Sequence, residues 1–174
     1  MKPLISKTIK MRFVEEEDAD FILKLRLDDR YNKFLSRVDP DAQAQRDWIK
    51  KYKVDENDRK QFYFIIERLD GTPCGTVRVY DLLEDSFCWG SWILNDEKTR
   101  FSAIESAFLV YQFGFKELGY RKSHFSVMKE NERVVSFHKK MGAIQVGEDE
   151  QNYYFEIHDK AVQESRSNLE SKLK

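Results

Sequence analysis

Three β-rich runs in succession, residues 61–68, 74–81 and 87–94, constrain this chain more than any other feature. They are dense in aromatic and β-branched residues, and Asp70-Gly71 supplies a turn between the first two. Strands that follow one another without a helix pair as an antiparallel meander, which excludes the alternating βαβ array of a doubly wound sheet. Before them, residues 9–14 read as a strand. An acidic helix start at Glu15 to Asp18 follows, with Phe21, Ile22 and Leu25 at helical spacing. Asp39-Pro40 offers a cap and a first-turn proline for a second helix through Trp48 and Ile49 to Tyr52, and residues 53–60 read as a charged loop.

After them, Ile104, Ala107, Phe108, Tyr111, Phe115 and Leu118 keep a helical period across 99–118, and Gly119 is placed to stop it. A strand at 124–128, a helix at 131–141 ended by Gly142, and a strand pair at 143–146 and 153–157 complete the pattern. The order β-α-α-β-β-β-α-β-α-β-β implies a mixed α/β (α+β) fold, with one mixed sheet carrying helices on both faces.

A length of 174 residues suits one compact domain, here residues 1–158, followed by a charged tail at 159–174 that reads as a frayed helix or a partner-binding extension. Thirty basic residues against thirty-one acidic ones leave a formal charge of -1, so nothing pulls the whole chain toward nucleic acid or an anionic membrane. No apolar run suits secretion or membrane spanning, and a cytoplasmic protein is expected. Cys74 and Cys88 lack a CxxC or histidine-rich context, so neither a disulfide framework nor a metal site is expected.

Two places suggest chemistry. Val134, Phe137, His138 and Met141 stand at i, i+3, i+4 and i+7, which turns His138 inward as either a structural hydrogen-bonder or a proton carrier. Lys98 and Arg100 flank the start of the 99–118 helix, where orphan N–H groups and the helix dipole attract an anion; solvated charges are the alternative.

The segments GSWIL at 90–94, FKELGY at 115–120 and NERVVSFHKKMGA at 131–143 resemble the fourth strand, the end of the central helix and the last motif of the GNAT superfamily of acetyl-CoA-dependent N-acyltransferases. The resemblance spans residues 9–157. Within the superfamily the chain is similar to the ribosomal-protein-acetylating branch, and more narrowly to enzymes that acetylate amino groups of nucleotide-linked sugars. That resemblance implies a mostly antiparallel sheet of about seven strands, splayed between the fourth and fifth, with acetyl-CoA as cosubstrate and no metal.

The same resemblance assigns residues. Coenzyme contacts fall on Ile93 and Leu94, on the pyrophosphate segment Lys98, Thr99, Arg100, Phe101, Ser102 and Ala103, and on Asn131 and Phe137. Phe101 replaces a glycine usual in that segment. Asn131 also reads as a helix cap. His138 stands where the family commonly has a tyrosine acting as general acid. Cys88 occupies the place of a glutamate base in many relatives, which leaves Asp81, then Glu84, as the carboxylate candidates, with a base acting through water as the equal alternative; Asp81 reads also as a turn residue. Arg30, Tyr31, Arg78, Tyr80 and Trp89 are the acceptor-binding candidates, because arginines with aromatics suit a phosphate and a stacked ring. The expected partner is a small-molecule amine such as a nucleotide sugar, with neither nucleic acid nor membrane involved and a monomer or homodimer as the assembly. A protein-terminus acetylase and a non-catalytic acyl-CoA-binding module are the alternatives.

Overall fold

In the computed structural model, which describes residues 2–172, the chain gathers into two compact units, Met1–Asp81 with Gly90–Leu109 and Leu82–Trp89 with Val110–Lys174. The last two residues of the expected tail lie outside the described residues.

Unit 1 is organised by β2 (Ile9–Phe13), β3 (Phe62–Arg68) and β4 (Pro73–Tyr80), successive antiparallel neighbours, with the short β1 (Leu4–Ile5) paired to β2. Strand β3 is buried at every position from Phe62 to Glu67, so its apolar run is continuous rather than alternating. Against it pack α1 (Ala19–Leu27) and α2 (Ala42–Asn57), giving a core of Ile22, Ile49, Tyr52, Tyr63 and Ile65. The Arg12 guanidinium fixes the entry to α1. It donates two bonds of 2.8 Å to the Asp18 carboxylate and a third of 3.1 Å to Glu67, a bidentate grip strengthened by charge.

Two boundaries differ from expectation here. The cap of α2 is Asp41, whose carboxylate accepts from the Gln43 N–H at 2.9 Å, so Pro40 precedes the helix instead of opening it. The run read as a loop at 53–60 continues α2 to Asn57. Lys53 pairs with Glu56 at 2.9 Å and with Glu15 at 3.1 Å, and Tyr52 donates to Glu56 at 2.7 Å, so these charges form the wet face of a helix whose other face is buried.

Strand β5 (Ser86–Leu94) contributes its first half to unit 2 and its second half to unit 1. Ser91, inside this strand, has φ 48°, a left-handed conformation that a non-glycine residue adopts only at a cost. Close backbone approach follows beside it: a Cβ on Gly75 would sit 2.2 Å from the Ile93 carbonyl oxygen, and the Asn95 N–H donates to Cys74 O at 2.8 Å.

Unit 2 holds β6 (Lys122–Met128), β7 (Ile144–Glu148) and β8 (Asn152–His158), together with α4 (Glu132–Met141) and α5 (Asp159–Lys172). Residues Ser86, Phe87 and Cys88 of β5 pair in parallel with Lys122, Ser123 and His124 of β6, and β8 lies antiparallel to both β6 and β7. The strand order is β1-β2-β3-β4-β5-β6-β8-β7. The eighth strand is β1, whose two residues are too few to carry a period of two. The expected helix at 99–118 is α3 (Ser102–Gln112) followed by a π-helical turn, Phe113–Glu117. Gly142, at φ 110°, ends α4 as expected, and the tail is helical with Val162 buried. The inward face of α4 is Val135, His138 and Met141; Val134 and Phe137 are half-buried.

Gly75→Ala is expected to destabilise the protein by about 1–3 kcal/mol, because the methyl meets fixed backbone rather than a side chain that can swing away. Denaturant unfolding of the variant beside the wild type measures it.

Candidate functional site

Unit 1 contains a cleft of about 390 Å³ between α1, α2, the connection joining them, and the strands beneath. Arg26, Arg37 and Arg78 bring positive charge to it, Trp48 and Tyr63 bring rings, and Ser91 brings the left-handed step of β5. Arg78 donates from Nε to Gln61 at 2.8 Å and lies over the Tyr80 ring at 4.5 Å. Tyr80 in turn stands over Gly90, where a Cβ would come 3.2 Å from its hydroxyl oxygen. Asp81, exposed at the end of β4, has φ 48°.

Of the expected acceptor residues, Arg78 alone lines this cleft. Arg30 and Tyr31 belong to a second hollow of about 220 Å³, where Arg30 donates to Asp28 at 2.8 Å and to Asp96 at 2.7 Å, and Tyr31 donates to Asp96 at 3.2 Å. Those contacts hold the Asp28 and Asp96 carboxyls below the usual range, with hydrogen bonding from Arg30 the largest cause. Trp89 is 4% exposed in unit 2 and donates from its indole to Tyr111 at 3.2 Å. Arg26, Arg37, Trp48, Tyr63 and Ser91 also line the cleft and are not among the site residues expected from the sequence. Only Arg26 and Arg37, flanking a polar connection between helices, carried a sequence signal.

The start of α3 is also in unit 1. Lys98 and Arg100 are exposed, Arg100 lies 5.3 Å over the Phe101 ring, and the Thr99 N–H donates to Ser102 Oγ at 2.8 Å, closing the turn. Glu105, one turn in, accepts from Ser6 and the Thr8 N–H at 2.8 Å each, and also from the Thr8 hydroxyl. Ser106 accepts from the Trp92 indole at 3.1 Å and donates to Ala103 O at 3.1 Å. The exposed charges of Lys98 and Arg100 beside the positive end of the α3 dipole could hold an anionic group. Along β5, Ile93 is buried and Leu94 half-buried. Among the described residues no group of three or more His, Cys, Asp or Glu side chains is arranged to hold a metal, and no helix is long and apolar enough to cross a membrane.

In unit 2, His138 sits among rings. Phe125 lies 4.2 Å away between centroids, Trp89 5.4 Å and edge-on, and Phe137 5.6 Å. Burial pushes the imidazole down to about 3, so the ring is neutral at physiological pH, not the imidazolium that a proton donor requires. Asn131 occupies the cap position of α4, but its side chain makes no capping hydrogen bond. Cys88 is buried, and burial raises the Cys74 thiol to about 11.

A profile for the acetyltransferase (GNAT) domain matches residues 8–144. The chain belongs to the GNAT acetyltransferase family. It is thus an N-acetyltransferase by descent, and enzymes of this family take the acyl group from acetyl-CoA. Among solved structures it is similar to apo FdhC, described as a nucleotide-linked sugar GNAT, at 47% identity over 97% of this chain and 96% of that one, with a TM-score of 0.89. A ribosomal-protein alanine acetyltransferase from Vibrio fischeri shares 12% identity over 91% of this chain and 97% of that one, at a TM-score of 0.78. A GNAT acetyltransferase from Bacillus anthracis shares 16% over 91% and 99%, at 0.76. These last two share the fold. No curated protein sequence matches the chain.

Because the folded state holds His138 below its ordinary value of 6.5, the unfolded state takes up the proton first, and stability falls as pH drops from about 6.5 toward 3. The slope from this residue reaches about 1.4 kcal/mol per pH unit. His138→Phe is expected to flatten that part of the curve, read by urea unfolding across the pH range.

Proposed function

We propose that this GNAT enzyme transfers acetyl from acetyl-CoA to the primary amine of a nucleotide-linked amino sugar. One observation carries the reading: 47% identity over nearly the full length of a nucleotide-linked sugar GNAT. The cationic, ring-lined cleft of unit 1 supports it, because a polyamine acceptor would be repelled by three arginines whereas a sugar nucleotide brings negative charge to them. In this reading Lys98, Arg100 and the first turn of α3 hold the coenzyme diphosphate, Thr99 and Ser102 close the turn, and Phe101 and Ala103 flank it. The backbone of Ile93 and Leu94 aligns the pantetheine.

Attack on the thioester needs a neutral amine, a stabilised oxyanion and a proton for the thiolate. Asp81 is the proposed base. His138 serves as proton donor only if the occupied enzyme lets its ring charge. Its role is tested by the pH profile of kcat in His138→Asn, which changes shape if the ring handles the proton and keeps its shape if the ring only packs.

Release of free CoA thiol should follow addition of nucleotide-linked amino sugars and not of spermidine or peptides bearing free N-termini. Thiol release with peptides alone would transfer the assignment to protein acetylation, and none with any amine would overturn it.

A further inference from the structure

Two buried polar atoms of residues that line the cleft of unit 1 have no hydrogen-bond partner among the described residues. They are the Tyr63 hydroxyl oxygen and the Arg26 Nε. Both residues line the cleft, and Tyr63 is only 3% exposed. Leaving a buried donor unsatisfied costs free energy that folding by itself does not recover. Native structures keep such groups chiefly where something else supplies the partner. Tyr63 could reach one at little structural cost, since its ring is already held by Tyr52 at 6.1 Å and Trp48 at 5.7 Å, both edge-on.

Charge and shape say what that something is. Three arginines against one aspartate, Asp39, give the lining a formal excess of two positive charges, equal in size and opposite in sign to the charge of a diphosphate diester. Trp48 packs one face on Tyr52, at 5.7 Å and 8° between planes, while the residue remains 38% exposed. A flat, half-exposed indole beside cationic side chains suits a nucleobase next to its phosphates. The volume of about 390 Å³ falls in the range of small-molecule sites, about 300–1,000 Å³.

We propose that this cleft holds the nucleoside diphosphate half of the acceptor. The base stacks on Trp48, the diphosphate lies against Arg37 and Arg78, and the Tyr63 hydroxyl and Arg26 Nε donate to it once bound. This rests on the acceptor class proposed above and locates its recognition in residues that do no acyl chemistry.

Calorimetric titration of the whole protein, with CoA at saturation to block the coenzyme's own nucleotide site, tests this directly. The probes are uridine, thymidine and guanosine 5′-diphosphates. At least one should bind and compete with the acceptor in turnover. Tyr63→Phe should weaken that binding about tenfold, the usual worth of a hydrogen bond to a charged group, and leave thermal stability equal or higher because an unsatisfied hydroxyl is gone. Trp48→Ala should raise the acceptor KM and leave the acetyl-CoA KM unchanged. Absence of binding by every diphosphate, or equal binding by wild type and both variants, overturns the cleft assignment. If nucleotide-linked amino sugars are acetylated with unchanged KM in both variants, the cleft assignment falls and the acceptor class stands. If no such sugar is acetylated, the acceptor class falls, and the titration still decides whether the cleft takes a nucleotide.

Discussion

A left-handed backbone step at Ser91 is the constraint on which the course of β5 through unit 1 and the wall of the cleft depend. Such a step costs a non-glycine residue on the order of 1 kcal/mol or more, so the surrounding packing must hold it. Here the means are visible. Gly75 lets the Ile93 carbonyl approach to within what a Cβ would occupy, Gly90 leaves room for Tyr80, and the Trp92 indole is tied to Ser106. Each of these contacts secures the strand on one side of the bend. The bend itself puts Ser91 on the wall of the cleft with Arg78 and Tyr63.

Charge in unit 1 is distributed unevenly, and that distribution separates two hollows of different character. In the smaller one Arg30 is already answered by Asp28 and Asp96, so it offers an incoming anion little that is uncommitted. In the larger one Arg26 donates to Ser36 O and Oγ and Arg78 to Gln61, all neutral acceptors, so the arginine charges there keep their attraction for an anion. Unit 2 follows the opposite logic. Its ionisable residue at the centre, His138, is enclosed by rings and kept uncharged by the loss of water, so packing rather than attraction governs it.

Much of the fold could be read along the chain. The meander at 61–94, the central helix, the Gly142 stop and the closing hairpin follow from periodicity and turn residues that act over a few positions. The misplaced pieces share a cause. The end of α2 reads as a loop because Lys53 to Asn57 are mostly charged, yet Lys53 finds Glu15 across the fold, a partner that no local window contains. Of the candidate site, the exposed charges ahead of α3 at Lys98 and Arg100 can be read from contiguous residues. Which arginines share a hollow cannot, since Arg30 and Arg78 look alike in sequence and differ only in what surrounds them.

The order of elements, the family motifs at 90–94 and 131–143, and the near-neutral charge were determined by the sequence by itself, through patterns local enough to need no partner. Which arginines share a cavity, that Tyr63 and Arg26 keep unanswered donors there, and that His138 is neutral were decided only by the tertiary structure. Desolvation and pairing depend on groups far apart in the chain, and no window of neighbouring residues contains both sides of such a contact.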